Sequence, residues 1–521
     1  MKENFGSYFK EFRSDLPAGL VVFLVALPLC LGIALASGAP LFSGIITGIV
    51  GGIVVGLLSG SHLSVSGPAA GLTVIVLGAI TELGAFETFL LAVVLAGVIQ
   101  LIMGYVKAGI IGLYFPSSVI KGMLTAIGLI LILKQIPHFL GVDMEAFGTT
   151  EYGDGEGHNT FTNFFYSLQH IQPGAFLIGF IALGILILWE RPFIKKQNWS
   201  KILPGALIAV LLGVLINVGL GAFAPAWAIE SSHLVNLPIL NGGSETAEKL
   251  LTLPNFSAIA NPLVWKTALV IAIIASLETL LSVEAVDKLD PHKRRTPNNR
   301  ELKAQGVGNI IAGLIGGLPM TAVIVRSTAN LESGAKTKMS AVYHGIFLLS
   351  AVLVIPHILN LIPLSALAAV LLMVGYKLAK PKLFVQQYKN GFEQFFPFVV
   401  TVLAILFTDL LIGISIGMVV GIFFILKANY KTPYFYHDEE HPGNGQKNIT
   451  IMLSEHVSFI NKASLQLTLE HLPANSVVTI DGSRSQDIDF DALNIIHDFA
   501  NTASERNIQI VLKNVPQPSL N

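Results

Sequence analysis

The sequence predicts an α-helical polytopic membrane protein followed by a small α/β domain. Of the 521 residues, 53% are hydrophobic and only 12% are charged, whereas soluble domains carry about 25% charged residues. The stretch from Leu16 to Thr81 contains no Asp, Glu, Lys or Arg. Because one membrane-spanning helix needs about 20 consecutive apolar residues, this stretch alone is long enough for several spans. Residues 430–521 are polar by contrast and contain short alternating runs that are typical of strands.

Composition also excludes several classes of function. The net charge is −1, so we expect no nucleic-acid partner. Cys30 is the only cysteine, which rules out an intramolecular disulfide and a cysteine metal site. The sequence contains no metal-binding pattern and no nucleophile–base pattern. We therefore expect no cofactor and no enzymatic activity.

The N-terminal part of the sequence predicts a surface segment and then a series of spans. Residues 1–15 mix polar and aromatic residues, which predicts a short amphipathic segment at the cytoplasmic membrane surface. We expect a membrane domain over residues 16–428. Its spans are predicted near 16–37, 41–58, 88–106, 118–136, 173–189 and 201–220, and a second set runs from Pro262 to Lys427.

The distribution of basic residues predicts the orientation in the membrane. Residues 191–201 and 288–303 are rich in Lys and Arg, whereas residues 135–190 contain acidic residues but no Lys or Arg. Loops on the cytoplasmic side carry an excess of positive charge. We therefore expect both termini in the cytoplasm and the protein in the inner (plasma) membrane.

Two apolar segments are interrupted by Gly and Pro at matching places in the two sets of spans. Gly67 and Pro68 interrupt the first. Gly317 and Pro319 interrupt the second, which leads to Arg326. Interrupted segments in corresponding halves indicate a midplane site, and the N-terminus of a short helix attracts anions. The pattern predicts an intramembrane anion site with Arg326 as a functional charge. The alternative is that Arg326 ends an ordinary span and extends to the interface.

The C-terminal part predicts a separate soluble module, residues 447–521, after a linker, residues 429–446. Alternation of apolar and polar residues predicts strands at 449–453, 477–480 and 508–512. Helices are predicted at 463–471 and 490–504.

Several segments together resemble the SulP family of sulfate permeases and solute-carrier anion transporters. The first span, LVVFLVALPLCLGIALASG, resembles the family's first helix, and SVSGPAAG resembles its third. The stretch NRELKAQGVGNIIAGLIGGLPMTAVIVRSTANLESGAKT, residues 299–337, resembles the most specific family block. FINKA and VVTIDGSRSQDID resemble the family's cytoplasmic STAS domain. The sequence departs from the family at Leu29, where Gln is usual, and at Ile33, where an aromatic residue often faces the substrate.

This resemblance implies fourteen helices in two inverted repeats of seven. Helices 1–4 and 8–11 would form a core domain, and helices 5–7 and 12–14 a gate domain that holds a homodimer in the lipid bilayer. The core would move against the gate like an elevator and carry a small inorganic anion between half-helices 3 and 10. The substrate-binding residues implied by the resemblance are Ile33, Ala69, Ala70, Gly71, Val323, Ile324, Val325, Arg326 and Ser327.

An acidic residue inside a span suggests ion coupling. Glu278 lies deep in the apolar run that begins near Pro262, and Ser282 follows one turn later on the same face. Sodium-coupled bicarbonate transporters of the family place an acid and a hydroxyl at these positions but lack the arginine. Three interpretations stay open: a structural pair between Glu278 and Arg326, a proton site, and a sodium site.

The sequence thus predicts a secondary active transporter of a small inorganic oxyanion, sulfate or bicarbonate. The alternatives are an anion channel or an anion exchanger on the same fold, and a nucleobase or carboxylate permease. The STAS-like module and Arg326 argue against the permease.

The module itself lacks a phosphoacceptor. Phosphoregulated relatives carry Ser after the Asp that opens the second helix, whereas the matching residues here are Asp489, Phe490 and Asp491. We expect the module to serve assembly, folding or trafficking.

Overall fold

The structure, a computed structural model, describes residues 11–113, 116–142, 167–197, 200, 203–239, 251–408, 410–430, 434–440, 447–458 and 461–517. Residues 1–10 of the predicted amphipathic segment lie outside the described residues. Residues 143–166, which contain most of the acidic residues of the predicted stretch 135–190, also lie outside them. The chain divides into two compact units. One contains the residues up to 391 and residues 398–415, and the other contains residues 392–397 and the chain from 416 onward.

Among the described residues, the main helices fall into two halves with the same order of elements. The first half contains α1 (Phe12–Ala36), α2 (Leu41–Leu58), α3 (Thr73–Leu83), α4 (Phe86–Tyr105), α5 (Ser117–Leu140), α6 (Pro173–Trp189) and α7 (Gly205–Phe223). The second half contains α8 (Pro262–Leu289), α9 (Asn298–Leu314), α10 (Ile324–Glu332), α11 (Met339–Val354), α12 (Leu364–Leu378), α13 (Phe392–Phe407) and α14 (Leu410–Tyr430). In each half the third helix is short and follows a short strand: β1 (Ser66–Pro68) precedes α3, and β2 (Met320–Ala322) precedes α10.

The lengths and apolar compositions of these helices suit a membrane. Seven helical stretches of the described residues are long and apolar enough to cross it: α1, α2, α4, α5, α7, α8, and α12 together with the short helix Pro381–Lys389 that follows it. The helices α3, α6, α11 and α13 are apolar but shorter, as is the Ile412–Lys427 stretch of α14. The fold is therefore the predicted one, a polytopic helical membrane protein with a repeated half.

Three prolines lie inside helices that the sequence predicts to be shorter. α1 begins at Phe12 and contains Pro17 and Pro28, and α5 continues through Pro137 to Leu140. Neighbouring helices satisfy the backbone groups that proline leaves free in a membrane helix. Proline is therefore a weaker end signal here than in a soluble helix.

Glycine pairs allow close helix contacts. A Cβ added to Gly97 of α4 would lie 2.6 Å from the carbonyl oxygen of Gly306 in α9. A Cβ added to Gly128 of α5 would lie 2.7 Å from the carbonyl oxygen of Gly375 in α12. Small residues at such crossings let backbones approach, which is how helices pack in membranes without a hydrophobic driving force between them.

The C-terminal domain has its own sheet and core. Strands β3 (Tyr434–Glu440), β4 (Lys447–Leu453), β6 (Val477–Asp481) and β8 (Gln509–Lys513) form a sheet in that order, with β3 antiparallel and the others parallel. Strands β5 (His456–Val457) and β7 (Asp487–Ile488) form a second, parallel pair. The helices α15 (Lys462–Glu470) and α16 (Phe490–Thr502) cover an apolar core that includes Ile451, Ile480, Leu465 and Ile496.

Two details of this domain bear on the sequence predictions. The three predicted strands and two predicted helices are present, but β3 lies in the stretch that the sequence predicts to be a linker. Its acidic residues, Asp438 to Glu440, obscure the strand pattern. Asp489 caps α16, because its carboxylate accepts a hydrogen bond from the backbone N–H of Asp491 at 2.9 Å.

Candidate anion-binding site

The two interrupted segments meet as a two-stranded antiparallel sheet. Ser66 pairs with Ala322, and Pro68 pairs with Met320. The backbone N–H of Val323 extends the ladder by donating to the carbonyl of Val65 at 2.9 Å. Since antiparallel strands run in opposite directions, α3 and α10 begin at opposite ends of the short sheet.

Both half-helices begin without a side-chain cap. The residue before the 3₁₀ turn Ala70–Leu72 is Ala69, with φ −111° and ψ 135°, and the residue before α10 is Val323, with φ −112° and ψ 115°. Neither side chain caps the first turn. The first N–H groups of a helix have no partner within it, so these two turns present uncapped donors on each side of the sheet. Such donors and the helix dipole favour an anion.

Arg326 brings a positive charge to the back of β1. Its side chain is fully buried, and its Nη2 donates to the carbonyl oxygen of Pro68 at 3.4 Å. A Cβ added to Gly67 would overlap its Nη1, so glycine is the residue that lets the guanidinium lie against the strand. Nε and Nη1 have no hydrogen-bond partner. The burial argues against the alternative in which Arg326 extends to the interface.

Glu278 lies against the same interrupted segment as Arg326, but at Gly71 instead of Gly67. A Cβ added to Gly71 would lie 2.6 Å from Oε2 and 2.7 Å from Oε1 of Glu278. Among the described residues, no ion pair joins Glu278 to Arg326. The structure therefore does not contain the direct Glu278–Arg326 pair. It places one charge against Gly67 and the opposite charge against Gly71.

The remaining predicted residues have different surroundings. Ala69 is buried, and Ala70 packs against a buried cluster that contains Ile33. Ile324 and Val325 are 40% and 37% exposed. Val323 is half-buried and Ser282 is buried on α8.

Ser327 has a bonding role within the fold. Its hydroxyl accepts a hydrogen bond from the N–H of Val65 at 2.9 Å and donates to the carbonyl of Val323 at 2.8 Å. These bonds tie α10 to the segment that precedes β1.

A row of polar residues on α9 positions both strands. Glu301, Gln305 and Asn309 are spaced by four residues, which puts them on one helix face. Gln305 Nε2 donates to Ser66 Oγ at 2.7 Å, and the N–H of Met320 donates to Asn309 Oδ1 at 2.7 Å. One helix thus bonds to β1 and to β2. The spacing is visible in the sequence, but the role of these residues was missed because no local pattern shows that Gln305 bonds to Ser66 or that Asn309 bonds to Met320.

Two hydroxyls complete the support of β2. Thr279, next to Glu278 on α8, accepts a hydrogen bond from the N–H of Ala322 at 3.2 Å. Thr47 of α2 accepts one from the N–H of Leu318 at 2.6 Å. The helix that carries Glu278 therefore also holds the strand that leads to Arg326.

Comparison with known proteins identifies the architecture. The family model described as "Sulfate permease family" matches residues 12–423, which include every helix and strand of the candidate site. The chain belongs to the sulfate permease family. Because this family and the chain's relatives are membrane transporters, the protein is a transporter rather than an enzyme.

Individual relatives within the sulfate permease family agree with this assignment. The chain is 29% identical to the putative sulfate transporter YvdB of Bacillus subtilis, over 84% of this chain and 78% of the relative. It is 27% identical to the bicarbonate transporter BicA of Picosynechococcus, over 80% of this chain and 70% of the relative.

Solved structures share the fold. The transmembrane domain of a cyanobacterial bicarbonate transporter, BicA, matches with a TM-score of 0.62 and 23% identity, over 80% of this chain and 98% of that one. The murine anion transporter Slc26a9 in its inward-facing state matches with a TM-score of 0.75 and 16% identity, over 99% and 86% of the two chains. The second match extends beyond the helices and covers the C-terminal α/β domain.

Proposed function

We propose that the protein is a secondary active transporter of a small inorganic oxyanion, sulfate or bicarbonate, which binds between the N-terminal ends of α3 and α10. The observation that carries this proposal is the pairing of β1 with β2, since it brings two uncapped helix starts and Arg326 to one point. The names of the relatives support the substrate class. Backbone N–H groups of Ala69, Ala70, Ile324 and Val325 would bind the anion, since those of Val323 and Gly71 already bond to Val65 and Glu278. Arg326 would add positive potential from the other face of β1.

The size of the site favours a small ligand. Ala69 is buried, and the wall formed by Ile33 and Ala70 is aliphatic. Backbone donors with no shaped polar pocket around them recognise charge and size rather than a particular oxyanion. Sulfate and bicarbonate both satisfy these requirements.

Glu278 couples the anion to a cation in this proposal. A carboxylate against Gly71 lies beside the turn that would bind the anion, and two negative charges at short range repel strongly in a medium of low polarity. A proton or a sodium ion at Glu278, with Ser282 as a second sodium ligand, removes that repulsion. Anion and cation then bind together, which is the requirement for symport.

Movement and assembly follow the family pattern in this proposal. The paired strands, α3, α8 and α10 move as part of a core against a gate, in an elevator-like step between the two sides of the membrane. The protein is a homodimer in the inner (plasma) membrane with both termini in the cytoplasm.

The site is tested by anion binding to purified protein. Arg326→Ala is expected to weaken sulfate or bicarbonate binding at least about tenfold, as expected for the loss of an interaction with a charged group. Ala69→Trp is expected to abolish binding by filling the gap between the half-helices. Arg300→Ala is the matched control, because Arg300 lies at the start of α9 with its Nε bonded to the carbonyl of Leu58. Normal affinity in well-folded Arg326→Ala and Ala69→Trp would overturn the proposed location.

The transport mode is tested separately. Labelled sulfate and labelled bicarbonate are offered to proteoliposomes with and without proton or sodium gradients. Accumulation above equilibrium that depends on one gradient supports coupled transport. Uptake that only equilibrates, or requires an anion inside the vesicle, would favour a channel or an exchanger instead.

A further inference from the structure

Lys134, in the second half of α5, is a half-buried lysine whose ammonium group is enclosed and has no partner. Its Nζ is inaccessible to solvent and has no hydrogen-bond partner. Among the described residues, no carboxylate lies within ion-pair distance of it. Lysines near the ends of membrane helices usually extend their ammonium group to water, and this one does not. A buried charge without a counter-charge strongly destabilises a fold. An anionic ligand bound beside Lys134 would supply that counter-charge.

The face of α5 that carries Lys134 adjoins the candidate anion site. α5 packs against the 3₁₀ turn Ala70–Leu72 and against α3. Leu131 belongs to one buried cluster with Ile33 and Leu371, and Ala70 packs against the same cluster. Lys134 follows Leu131 by three residues and so lies on the same helix face, about 4.5 Å further along the axis.

We propose that the Lys134 ammonium is a second anion-binding group, which the transported oxyanion contacts on the side of the site formed by α5. This inference rests on the proposed function and deepens it. Arg326 is bonded to the carbonyl of Pro68 in β1, so its positive potential would reach the anion across the strand without direct contact. Lys134 comes from a different helix and has three free donors on a compact charge. The oxyanion itself is the counter-charge that the protein does not supply.

The substitution Lys134→Met tests this proposal, since it removes the charge and keeps an unbranched side chain of similar length. In proteoliposomes containing the full chain, we expect the KM for sulfate or bicarbonate to rise at least about tenfold, because a hydrogen bond to a charged group is lost. Lys134→Arg, which keeps the charge, is expected to retain a KM within about threefold of wild type. Lys121→Met is the matched control, because Lys121 is on the same helix near its other end.

The outcomes separate this inference from the proposed function. If Arg326→Ala loses anion binding while Lys134→Met keeps a wild-type KM, the inference is wrong and the proposed site stands. If Lys134→Met raises KM while Arg326→Ala and Ala69→Trp bind normally, Lys134 contacts the anion outside the site between α3 and α10, and both the proposed site and this inference are wrong. If Lys134→Met protein is more heat-stable and its KM is unchanged, the fold tolerates the buried ammonium of Lys134 at a cost in stability and the anion does not use it. That result would overturn the inference. Should Lys134→Met fail to fold, Lys134→Gln gives the same KM comparison with a polar side chain.

Discussion

At the scale of single residues, the candidate site depends on two glycines that lie against opposite charges. Gly67 leaves room for the guanidinium of Arg326, and Gly71 leaves room for the carboxylate of Glu278. Three residues lie between these glycines, so a short backbone segment separates the two charges. A side chain at either position would change the electrostatics of the site without removing a charge.

Gly67→Ala is therefore expected to impair anion binding although Arg326 stays in the sequence. The new methyl group forces the guanidinium away from β1, and we expect at least about a tenfold loss of oxyanion affinity. Gly56→Ala is a matched control, because a Cβ at Gly56 in α2 would lie 3.4 Å from its nearest neighbour, a methyl group of Val342. Equilibrium binding of sulfate and bicarbonate to the purified variants measures the effect. Equal affinities for the two variants would contradict the assigned position of Arg326.

Glu278→Gln is expected to uncouple transport from the cation gradient. The amide cannot take up a proton or neutralise sodium, whereas its shape still fits against Gly71. We expect anion binding to persist and gradient-driven accumulation in proteoliposomes to disappear. Glu284→Gln is the control on the same helix, because Glu284 is exposed and pairs with Lys288 at 2.6 Å. Glu278→Gln protein that still accumulates the anion against its gradient would eliminate Glu278 as the coupling residue.

At the scale of elements, α9 holds the two strands in register. The amide of Asn309 accepts from the N–H of Met320 at 2.7 Å and donates to Gln100 Oε1 at 2.6 Å. All of these groups are buried, so each lost bond leaves an unsatisfied polar atom. The strand pair thus depends on the helix that directly precedes β2 in the chain and that also bonds to β1.

Asn309→Ala is expected to lower the free energy of unfolding by about 1–3 kcal/mol and to weaken anion binding as β2 shifts. Thermal unfolding of the purified protein, with and without saturating anion, reports both effects. Asn298→Ala serves for comparison, because Asn298 lies at the start of α9 and bonds only weakly, at 3.3 Å, to the carbonyl of Gly109. An Asn309 variant as stable as the Asn298 variant would exclude α9 as the support of β2.

The C-terminal sheet contains a carboxylate whose ionisation depends on the fold. The hydroxyl and backbone N–H of Ser483, followed by the ammonium of Lys513, lower the pKa of Asp481 from 3.8 to about 2. The folded pKa is below the unfolded one, so the stabilisation is complete above about pH 4 and is lost as the pH falls towards 2. Hydrogen exchange of β6 and β8 in the full chain should show this loss in the wild type and not in Asp481→Asn. Asp498→Asn, on α16, should behave like the wild type, and an identical pH profile for Asp481→Asn would refute the assignment.

The order of elements was predictable from the sequence because hydropathy and Gly/Pro interruptions are local signals. The spans at 41–58 and 173–189 match α2 and α6 at both ends. The end of α5 was not predictable, because Pro137 is tolerated only through neighbouring helices. Strand β3 was missed because its acidic residues break the apolar–polar alternation that predicts a strand.

The candidate site was predictable in part. The interrupted segments and Arg326 were identified because each breaks a local rule for membrane helices. The contact of Glu278 with Gly71 joins distant parts of the chain, and the bond between Asn309 and Met320 spans the Gly/Pro interruption, so no local pattern indicates either. Lys134 passed unnoticed because a lysine near a helix end is ordinary until its burial is known.

At the scale of the whole molecule, the C-terminal domain has a core of its own, and α16 starts at an acidic cap instead of a phosphorylatable serine. Deleting residues 447–521 is expected to reduce expression or dimer stability more than transport per folded molecule. Fluorescence-detected size exclusion measures expression and dimer stability. Uptake normalised to the amount of reconstituted protein measures transport per folded molecule. Protein without the domain that binds anion normally but transports none would assign the domain to the transport mechanism.

The bond between Val65 and Ser327 joins residues 262 positions apart in the chain. During synthesis, the first seven helices therefore leave the ribosome with β1 unpaired, and its backbone has no partner until α10 has been made. Closing so long a loop is slow compared with forming a helix. The nascent first half must wait in the membrane, or beside a chaperone, with polar backbone exposed. The anion site is consequently among the last features of the protein to mature, and a chain terminated before α10 lacks Arg326 and the donors of the second half-helix.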